Sequence, residues 1–153
     1  MEREEFAARV QDIREQLYRT AYGYLGNAHD SLEAVDEAVY QGFRARKKIR
    51  QPEFFTTWMT RILIHVCYRE LKRRTRQQEV PMEEQGAEDY DGLPLREAIE
   101  RLPEELRQVI VLRYFTGLTQ TETAQALEIP QGTVVTRQRR ALALLRVELE
   151  EDV

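Results

Sequence analysis

A helix-turn-helix pattern near the C-terminus most limits how this 153-residue chain can fold. Thr119 and Glu122 have the spacing of a capping box, in which each side chain satisfies a backbone N–H left free at a helix start. A first helix is therefore predicted to begin at Thr119. The run Ile-Pro-Gln-Gly-Thr-Val at 129–134 contains residues that stop one helix and start another. A second helix is predicted from near Gln131 to about Val147.

The second helix has an apolar side, which we predict faces the core. Its members are Val134, Gln138, Ala141, Leu142 and Leu145, all apolar except Gln138. From Arg137 to Arg146 the helix carries four arginines and no acid. Cations also complement a helix dipole, but that effect is confined to the last turn, and these arginines begin earlier. The pattern favours a helix lying against phosphates, although helix-turn-helix folds also serve as protein-interaction modules.

The overall charge gives no further support for nucleic-acid binding. The net charge is −4 and the isoelectric point about 5.4, so any affinity for DNA must come from local patches. A second basic patch exists, because eleven basic residues and only two acids lie between Arg44 and Arg76. The chain therefore has two cationic segments, one in each half.

An acidic segment separates the two basic ones. The segment 79–91 contains six acids and no base, and the turn formers Pro81, Gly86 and Gly92 lie in or beside it. This is the composition of a linker. We predict an N-terminal domain at 1–76, a flexible linker at 77–93 and a C-terminal domain at 94–153. The predicted fold class is all-α, with two small helical domains.

Three helices are predicted for the N-terminal half, where nothing alternates like a strand. An apolar stripe from Phe6 to Tyr24 marks the first helix, which Gly26-Asn27 ends. Asp30, with Glu33 three residues later, predicts the start of the second helix. Pro52 breaks that helix after its basic end. The third is predicted from near Phe54 to the run Lys72-Arg73-Arg74.

Aromatic residues accompany the basic residues of the third helix. Phe54, Phe55 and Trp58 are candidates for stacking on bases of single-stranded or melting DNA. Their periodicity equally predicts that Phe55 and Trp58 are core residues. The loop from Arg50 to Glu53 is a rigid turn between two basic helix ends, where an extruded base could be held.

Several classes of function are excluded by what the sequence lacks. It has no glycine-rich phosphate loop, nucleophile elbow or metal-ligand spacing, so no enzyme activity and no cofactor are expected. Cys67 is the only cysteine, which excludes internal disulfides and a thiolate zinc site. His29 and His65 have no evident ligand partners, so no metal is expected. No apolar run of 18 residues and no signal peptide are present, which predicts a cytoplasmic protein.

Both halves together resemble the extracytoplasmic-function sigma factors of bacterial RNA polymerase, small members of the sigma-70 family that hold only regions 2 and 4. The segments similar to region 2 are 17–25, 33–37, 58–62 and 70–74. Those similar to region 4 are 95–103, 113–115, Gly132-Thr133-Val134 and Arg137 with Arg140-Ala141. The resemblance spans residues 6 to 147. Its most specific parts are the Leu-Pro at 102–103 and the Pro-x-Gly-Thr-Val entry to the second helix of the helix-turn-helix.

This resemblance implies a transcription initiation subunit that binds core RNA polymerase and melts promoter DNA. The second helix would dock on the clamp of the polymerase β′ subunit through Glu33, Asp36 and Glu37, and the β flap is a further expected contact. The −10 element would be opened and held by Arg50, Gln51, Pro52, Trp58, Arg61, Lys72, Arg73 and Arg74. The −35 element would be bound by Gln131, Thr133, Val135, Thr136, Arg137, Arg139 and Arg140. An anti-sigma protein and association with the nucleoid are also implied.

The chain departs from the family pattern at three places. The docking helix carries Glu33 and Asp36 where an Asp-x-x-Gln pattern is usual, which keeps the acidity but loses an amide. Val135 stands where Lys or Arg is common; it cannot hold a phosphate, but it can contact a thymine methyl. Glu128 occupies a turn position where Gly is frequent, which implies either a helical residue or a left-handed one.

Two alternatives remain open from the sequence. A stand-alone helix-turn-helix regulator would bind duplex DNA tightly by itself, at a symmetric site. A sigma-like interaction module would keep the fold and bind partners even after Arg137 and Arg140 were replaced by Ala. The sigma factor interpretation instead predicts weak DNA binding alone and promoter use only with core polymerase.

Overall fold

The computed structural model describes residues 1–77 and 93–151, and every regular element within them is helical. The predicted all-α class is confirmed. The linker was predicted at 77–93; of this segment, residues 78–92 lie outside the described residues, and Gln77 and Leu93 are helical. No helix in the described ranges is long and apolar enough to cross a lipid bilayer.

The N-terminal half contains three α-helices and two short 3₁₀ turns. The helices are α1 (Arg3–Leu25), α2 (Ala28–Arg44) and α3 (Phe55–Gln77), and the turns are Arg46–Lys48 and Pro52–Phe54. Large buried side chains from all three helices form its core, among them Leu17 and Tyr24 of α1 and Met59 of α3. Helices α2 and α3 approach closely at Gly42, where an added Cβ would lie 2.6 Å from the Met59 sulfur.

The described part of the C-terminal half, residues 93–151, contains four α-helices and one π-helical segment. These elements are α4 (Leu93–Arg101), α5 (Glu104–Ile110), the π-helical segment Val111–Thr116, α6 (Gln120–Leu127) and α7 (Gln131–Glu151). One apolar cluster joins α4 and α5 to α7 through residues such as Ile99, Leu106 and Ala141. A smaller cluster of Val109, Ala124 and Val134 holds α6 and α7 together.

The start of α2 differs from the prediction. Gly26 ends α1 in the left-handed conformation, with φ 79°, and its N–H donates to the Tyr22 carbonyl at 2.9 Å. Asn27 is extended, and its side-chain oxygen accepts from the Asp30 N–H at 2.9 Å. The cap is therefore Asn27 and the helix begins at Ala28, so the predicted start at Asp30 was wrong. Asn27 is itself a strong capping residue and comes first in the chain.

The helix-turn-helix follows its capping signals. The Glu122 N–H donates to the Thr119 hydroxyl at 3.1 Å, and the Thr119 N–H donates to the Glu122 carboxylate at 2.9 Å, which confirms the capping box. Glu128 has φ 58° and ψ 44°, so it is the left-handed residue of the turn. Helix α7 begins at Gln131 as predicted and continues beyond Val147.

The apolar side of α7 is narrower than predicted. Val134, Ala141 and Leu145 are buried, but Leu142 is 42% exposed, so its predicted core position was wrong. Each residue turns the helix by about 100°, which places Leu142 roughly 80° from Val134 but Ala141 and Leu145 only about 20° from it. Helices α4, α5 and α6 cover only that central strip of α7.

The two halves pack directly against each other. Helix α1 lies along the π-helical segment, and α3 contacts α6. Val111, Leu112, Leu118 and Ala126 belong to the same buried cluster as the core of the N-terminal half. This packing sets the surroundings of the candidate site, because α3 carries several of its residues.

Candidate nucleic-acid interface

A cleft of about 530 Å³ opens between the two 3₁₀ turns and the first half of α3. It brings together four of the residues predicted to bind the −10 element, namely Arg50, Gln51, Trp58 and Arg61. The remaining lining residues are Lys48, Ile49, Phe54, Thr57 and Gln125. The cleft thus combines cations, aromatic rings and amides within one concave surface.

The cleft exists because the connection between α2 and α3 is short and rigid. Pro52 begins the second 3₁₀ turn, where its missing N–H costs no hydrogen bond. The Pro52 carbonyl accepts from the Arg9 guanidinium of α1 at 3.2 Å, which ties the loop to the helical core. Arg50 and Gln51, just before this proline, are left exposed at the mouth of the cleft.

The three neighbouring aromatic residues have different environments. Phe55 is 2% exposed and packs edge-on against Phe6, so it is a core residue, as its periodicity predicts. Phe54 is 49% exposed, and Trp58 is half-buried with its ring centroid 6.2 Å from that of Phe55. Phe54 and Trp58 therefore present aromatic surface to the cleft. Such surface, next to Arg50, suits a base whose backbone is held by cations.

Arg61 is the most constrained cation of the cleft. Its Nε donates to the Ala126 carbonyl at 3.1 Å and its Nη2 to the Gln125 carbonyl at 2.5 Å. Its Nη1 lies 3.2 Å from a Glu128 carboxylate oxygen. All three guanidinium nitrogens are thus engaged by the end of α6 and the residue that follows it.

The cations at the far end of α3 lie away from the cleft. Lys72 is exposed, with its Nζ 4.6 Å from the centre of the Tyr68 ring. Arg73 is exposed and binds both carboxylate oxygens of Glu70, at 2.9 and 2.6 Å. These residues are at least eleven positions from Arg61 along α3, or roughly 16 Å at the rise of an α-helix. Any contact they make with nucleic acid is separate from the cleft.

Arg74 is occupied within the protein. Its guanidinium donates to the Leu25 carbonyl at 3.0 Å and forms an ion pair with Asp30, with 23% of its side chain exposed. Burial acts to raise the pKa of Asp30, but hydrogen bonds from Asn27 and Arg74 outweigh it and leave that pKa below its usual value. Arg74 therefore fastens the end of α3 to the turn between α1 and α2.

The three acids predicted for polymerase docking share the exposed face of α2. Asp36 is 3.1 Å from the Arg14 guanidinium of α1, and Glu37 accepts from Gln41 at 2.9 Å. Glu33 lies 3.3 Å from His29. Beside them a shallow groove between α1 and α2 exposes Leu32 and part of Tyr18. The face is acidic with an apolar margin.

The same face holds a possible set of metal ligands that the sequence did not suggest. One ligand atom from each of His29, Asp30 and Glu33 lies within 4.8 Å of the others. Asp30, however, is already bound by Arg74 and Asn27. The arrangement is explained by ion pairs on the helix surface.

The predicted −35 residues all lie in the first half of α7. Gln131, Thr136, Arg139 and Arg140 are exposed, whereas Thr133, Val135 and Arg137 are half-buried. The Thr136 hydroxyl donates to the Gly132 carbonyl at 3.0 Å, and Arg137 is 3.9 Å from Glu105. Arg139 and Arg140 thus form an exposed pair of cations that point away from the core.

Polar contacts fix the orientation of α7 on its support. The Gln138 amide accepts from Arg113 Nε at 3.0 Å and donates to the Tyr114 hydroxyl at 3.3 Å. Arg113 also donates to the Leu118 carbonyl just before α6. Gln138 therefore lies on the inward side of α7, where its polar amide group is hydrogen-bonded.

Sequence reasoning missed some residues of the cleft. Lys48 belongs to the basic patch between Arg44 and Arg76, and Ile49 and Thr57 are next to predicted residues, so the sequence contains a local signal for all three. Gln125 comes from the C-terminal half. No local signal predicts it, because it reaches the cleft only through the packing of α6 on α3.

A fold that is helical throughout the regular elements of residues 1–77 and 93–151, with exposed arginines on the second helix of a helix-turn-helix and a basic aromatic cleft, defines a DNA-binding protein of the helix-turn-helix class. Two family models match it: Sigma-70 region 2 over residues 10–77 and Sigma-70, region 4 over residues 98–147. The chain belongs to the sigma-70 family, in its extracytoplasmic-function group, and is an alternative sigma factor that acts in transcription initiation. The predicted family is thereby confirmed.

Curated relatives match over nearly the whole chain. RNA polymerase sigma factor SigV of Bacillus subtilis is 29% identical, over 94% of this chain and 90% of its own length. The RNA polymerase sigma-E factor of Streptomyces antibioticus is 30% identical, over 95% of this chain and 85% of its own length.

Solved structures share the fold at lower identity. CnrH, in complex with the cytosolic domain of CnrY, matches with a TM-score of 0.77 and 23% identity, over 99% of this chain and 92% of that one. RpoE of Bartonella quintana, in complex with the anti-sigma factor NepR, matches with a TM-score of 0.74 and 18% identity, over 98% and 99%.

Proposed function

We propose that this sigma factor binds core RNA polymerase, melts the −10 element at the cleft between α2 and α3, and binds the −35 element with α7. The observation that carries the proposal is the cleft itself. It places Arg50, Gln51 and Trp58 around one concavity, next to the exposed ring of Phe54. A single unstacked base fits such a combination, since its faces need a ring and its phosphate needs a cation.

The −35 element would be read by the exposed side of α7. The second helix of a helix-turn-helix lies in the major groove, with its N-terminal residues at the base edges. Arg139 or Arg140 can bind guanine or phosphate, and Val135 can contact a thymine methyl. Gln131 and Thr136, both exposed, supply further hydrogen-bonding groups.

Core polymerase would dock on the acidic face of α2. Glu33, Asp36 and Glu37 offer three carboxylates on one exposed surface, which suits a basic partner such as the β′ clamp. The exposed Leu32 adds apolar area at its margin. A contact of the C-terminal half with the β flap completes the expected binding to polymerase.

The remaining properties follow from this role. The protein would act as a subunit without enzyme activity of its own, in the cytoplasm and at the nucleoid when active. An anti-sigma protein is a further proposed partner, in keeping with the complex of RpoE with the anti-sigma factor NepR.

Run-off transcription with purified bacterial core polymerase, on a fragment library of the source genome, tests this function. New start sites that share upstream motifs at two fixed positions are expected only when the protein is added. Arg50→Ala should reduce open-complex formation at these promoters by tenfold or more, on the order of one lost phosphate or base contact. Arg69→Ala, an exposed arginine of α3 outside the cleft, is the matched control.

Gel filtration with core polymerase separates the alternatives. No complex with core would overturn the proposed function. A complex without transcripts would leave an interaction module, and tight binding to duplex DNA without core would indicate a stand-alone regulator.

A further inference from the structure

Two arginines cross between the halves of the chain, each to the C-terminal end of a helix in the other half. Arg61 of α3 donates to the last carbonyls of α6, at Gln125 and Ala126. Arg96 of α4 donates to the last carbonyls of α1, at 2.9 and 3.0 Å to Gly23 and 3.2 Å to Tyr22. A cation is favourable at such an end, where carbonyls lack helical partners and the dipole is negative.

The surface between these two arginines is closely packed. The Thr20 and Thr116 hydroxyls meet across it, and Gln16 donates to the Thr116 carbonyl at 3.3 Å. Gly23 lets the Phe115 ring approach α1, since a Cβ at this glycine would lie 2.8 Å from Phe115 Cγ. The two halves are thus closely packed across this interface. An arginine from each half holds one end of it, Arg61 at α6 and Arg96 at α1.

The same interface contains polar groups without partners. Tyr24 Oη and Glu104 Oε1 are buried and make no hydrogen bond. The Glu104 carboxylate contributes to the raised pKa of Tyr24, second to burial. Unbonded buried groups oppose the buried state and regain water when the surface opens. The interface therefore contains groups that favour its opening as well as contacts that hold it closed.

We propose that the packed arrangement is a self-inhibited state, in which the end of α6 holds the Arg61 guanidinium that promoter DNA needs. This inference rests on the proposed −10 function of the cleft. Each of the three guanidinium nitrogens of Arg61 is engaged by Gln125, Ala126 or Glu128, so a phosphate or base competes with α6 for this side chain and gains its full set of five N–H donors only after α6 leaves. Gln125 also forms part of the cleft, so the same motion opens the site for a base.

When the two halves separate, Arg61 exchanges one set of hydrogen-bond acceptors for another of the same kind. The exchange can therefore run in both directions. In the closed chain the guanidinium binds two carbonyl oxygens and a carboxylate, and in the open chain it binds phosphate oxygens or a base edge. Arg61 keeps oxygen partners in both states. Arg96, in contrast, serves only the closed state, because it contacts α1 and lies outside the cleft.

Variants of the full-length chain separate closure from DNA binding. Arg96→Ala removes one of the two reciprocal caps, and Gly23→Ala places a methyl group against Phe115 without weakening α1. Arg19→Ala, an exposed arginine of α1, is the matched control. Small-angle X-ray scattering measures closure, and fluorescence anisotropy with a labelled 30-nucleotide single-stranded DNA of mixed sequence measures access to the cleft.

Wild type and Arg19→Ala should have the radius of gyration of a compact chain, about 15 Å for this length. Both interface variants should be larger by at least about 3 Å and should bind the oligonucleotide about three- to tenfold more tightly. Adding Arg61→Ala to Arg96→Ala should remove that gain. Circular dichroism confirms that each variant keeps its helices.

Two results would overturn the inference. Interface variants as compact as wild type would show that the arginine caps do not hold the halves together. Larger variants with unchanged DNA affinity would show that closure does not withhold Arg61. Failure of the proposed function is distinguishable, since it appears as absence of run-off transcription with core polymerase for every variant, whatever the scattering shows.

Discussion

The hydroxyl groups of Thr20 and Thr116 lie 2.5 Å apart in the buried contact between α1 and the π-helical segment. Thr20 also donates its hydrogen to the Gln16 carbonyl at 2.9 Å. Because a hydroxyl has one hydrogen, Thr116 must be the donor between the two threonines and Thr20 the acceptor. The hydrogen bond between the two threonines therefore has a fixed direction, from Thr116 to Thr20.

This direction predicts unequal effects of two isosteric substitutions. Thr116→Val leaves Thr20 bonded to Gln16 and should lower the free energy of unfolding by about 1 kcal/mol. Thr20→Val strands the buried Thr116 donor and should cost more, up to about 3 kcal/mol. Urea denaturation of each variant measures the difference. The double variant should cost less than the sum of the two, and equal single costs would contradict the assigned direction.

Replacing Glu128 by glycine is expected to give a more stable protein than replacing it by alanine. The φ of 58° at this position is unfavourable for any residue with a Cβ, and Gly relieves roughly 1 kcal/mol of that strain. Both Glu128→Gly and Glu128→Ala lose the exposed ion pair with Arg61, so comparing them isolates the backbone term. We expect the glycine variant to melt several degrees above the alanine variant. Equal melting temperatures would show that the turn stores no strain.

Asp30 predicts a loss of stability in acid. Its pKa is lowered in the folded chain, where hydrogen bonds from Asn27 and Arg74 outweigh burial. Its contribution is therefore present above the unfolded pKa, near 4, and is lost as the pH falls through the folded value. Asp30→Asn should flatten the fall in unfolding free energy below about pH 4. Asp12→Asn, on the exposed side of α1, should keep the wild-type profile, and a profile unchanged in Asp30→Asn would contradict this role.

The exposed cations of α7 predict a change in the salt dependence of promoter binding. Arg139→Ala or Arg140→Ala should weaken binding of the polymerase complex to promoter duplex, and each lost phosphate contact should reduce the salt slope by about one. Anisotropy titrations at several salt concentrations measure this slope. Arg19→Ala, at an exposed arginine of α1, is the control. If all three variants share the wild-type slope, these arginines do not bind phosphates.

Local signals were sufficient for most of the helices. The Thr119 capping box fixed the start of α6, and the position of Gln131 after Pro130 fixed that of α7, because both depend on neighbours within four residues. The start of α2 was missed because two capping residues compete there. Asn27 acts as the cap, and this leaves Asp30 free to bind Arg74 of α3.

Residues whose role depends on the other half of the chain were not predictable. Arg61 was expected at the −10 element from the resemblance to region 2, but no residue near it in the sequence predicts a hydrogen bond to α6. Gly23 and Arg96 lie in segments that resemble the family, 17–25 and 95–103, but neither was given a role of its own, since a glycine near a helix end and an arginine in an amphipathic helix are ordinary. Leu142 was misplaced because periodicity gives the direction of a side chain but not the width of the surface that covers it.

The two halves that meet at Thr20 and Thr116 belong to one chain, with 15 residues between Gln77 and Leu93. Their encounter is therefore unimolecular, and the rate at which the two halves meet does not depend on the concentration of the protein. Dilution therefore does not separate them, and the closed fraction is the same whether a cell contains ten copies or ten thousand. Under the proposed self-inhibition, a competitor for the buried surfaces or for Arg61 lowers the closed fraction, so abundance and activity can be set independently.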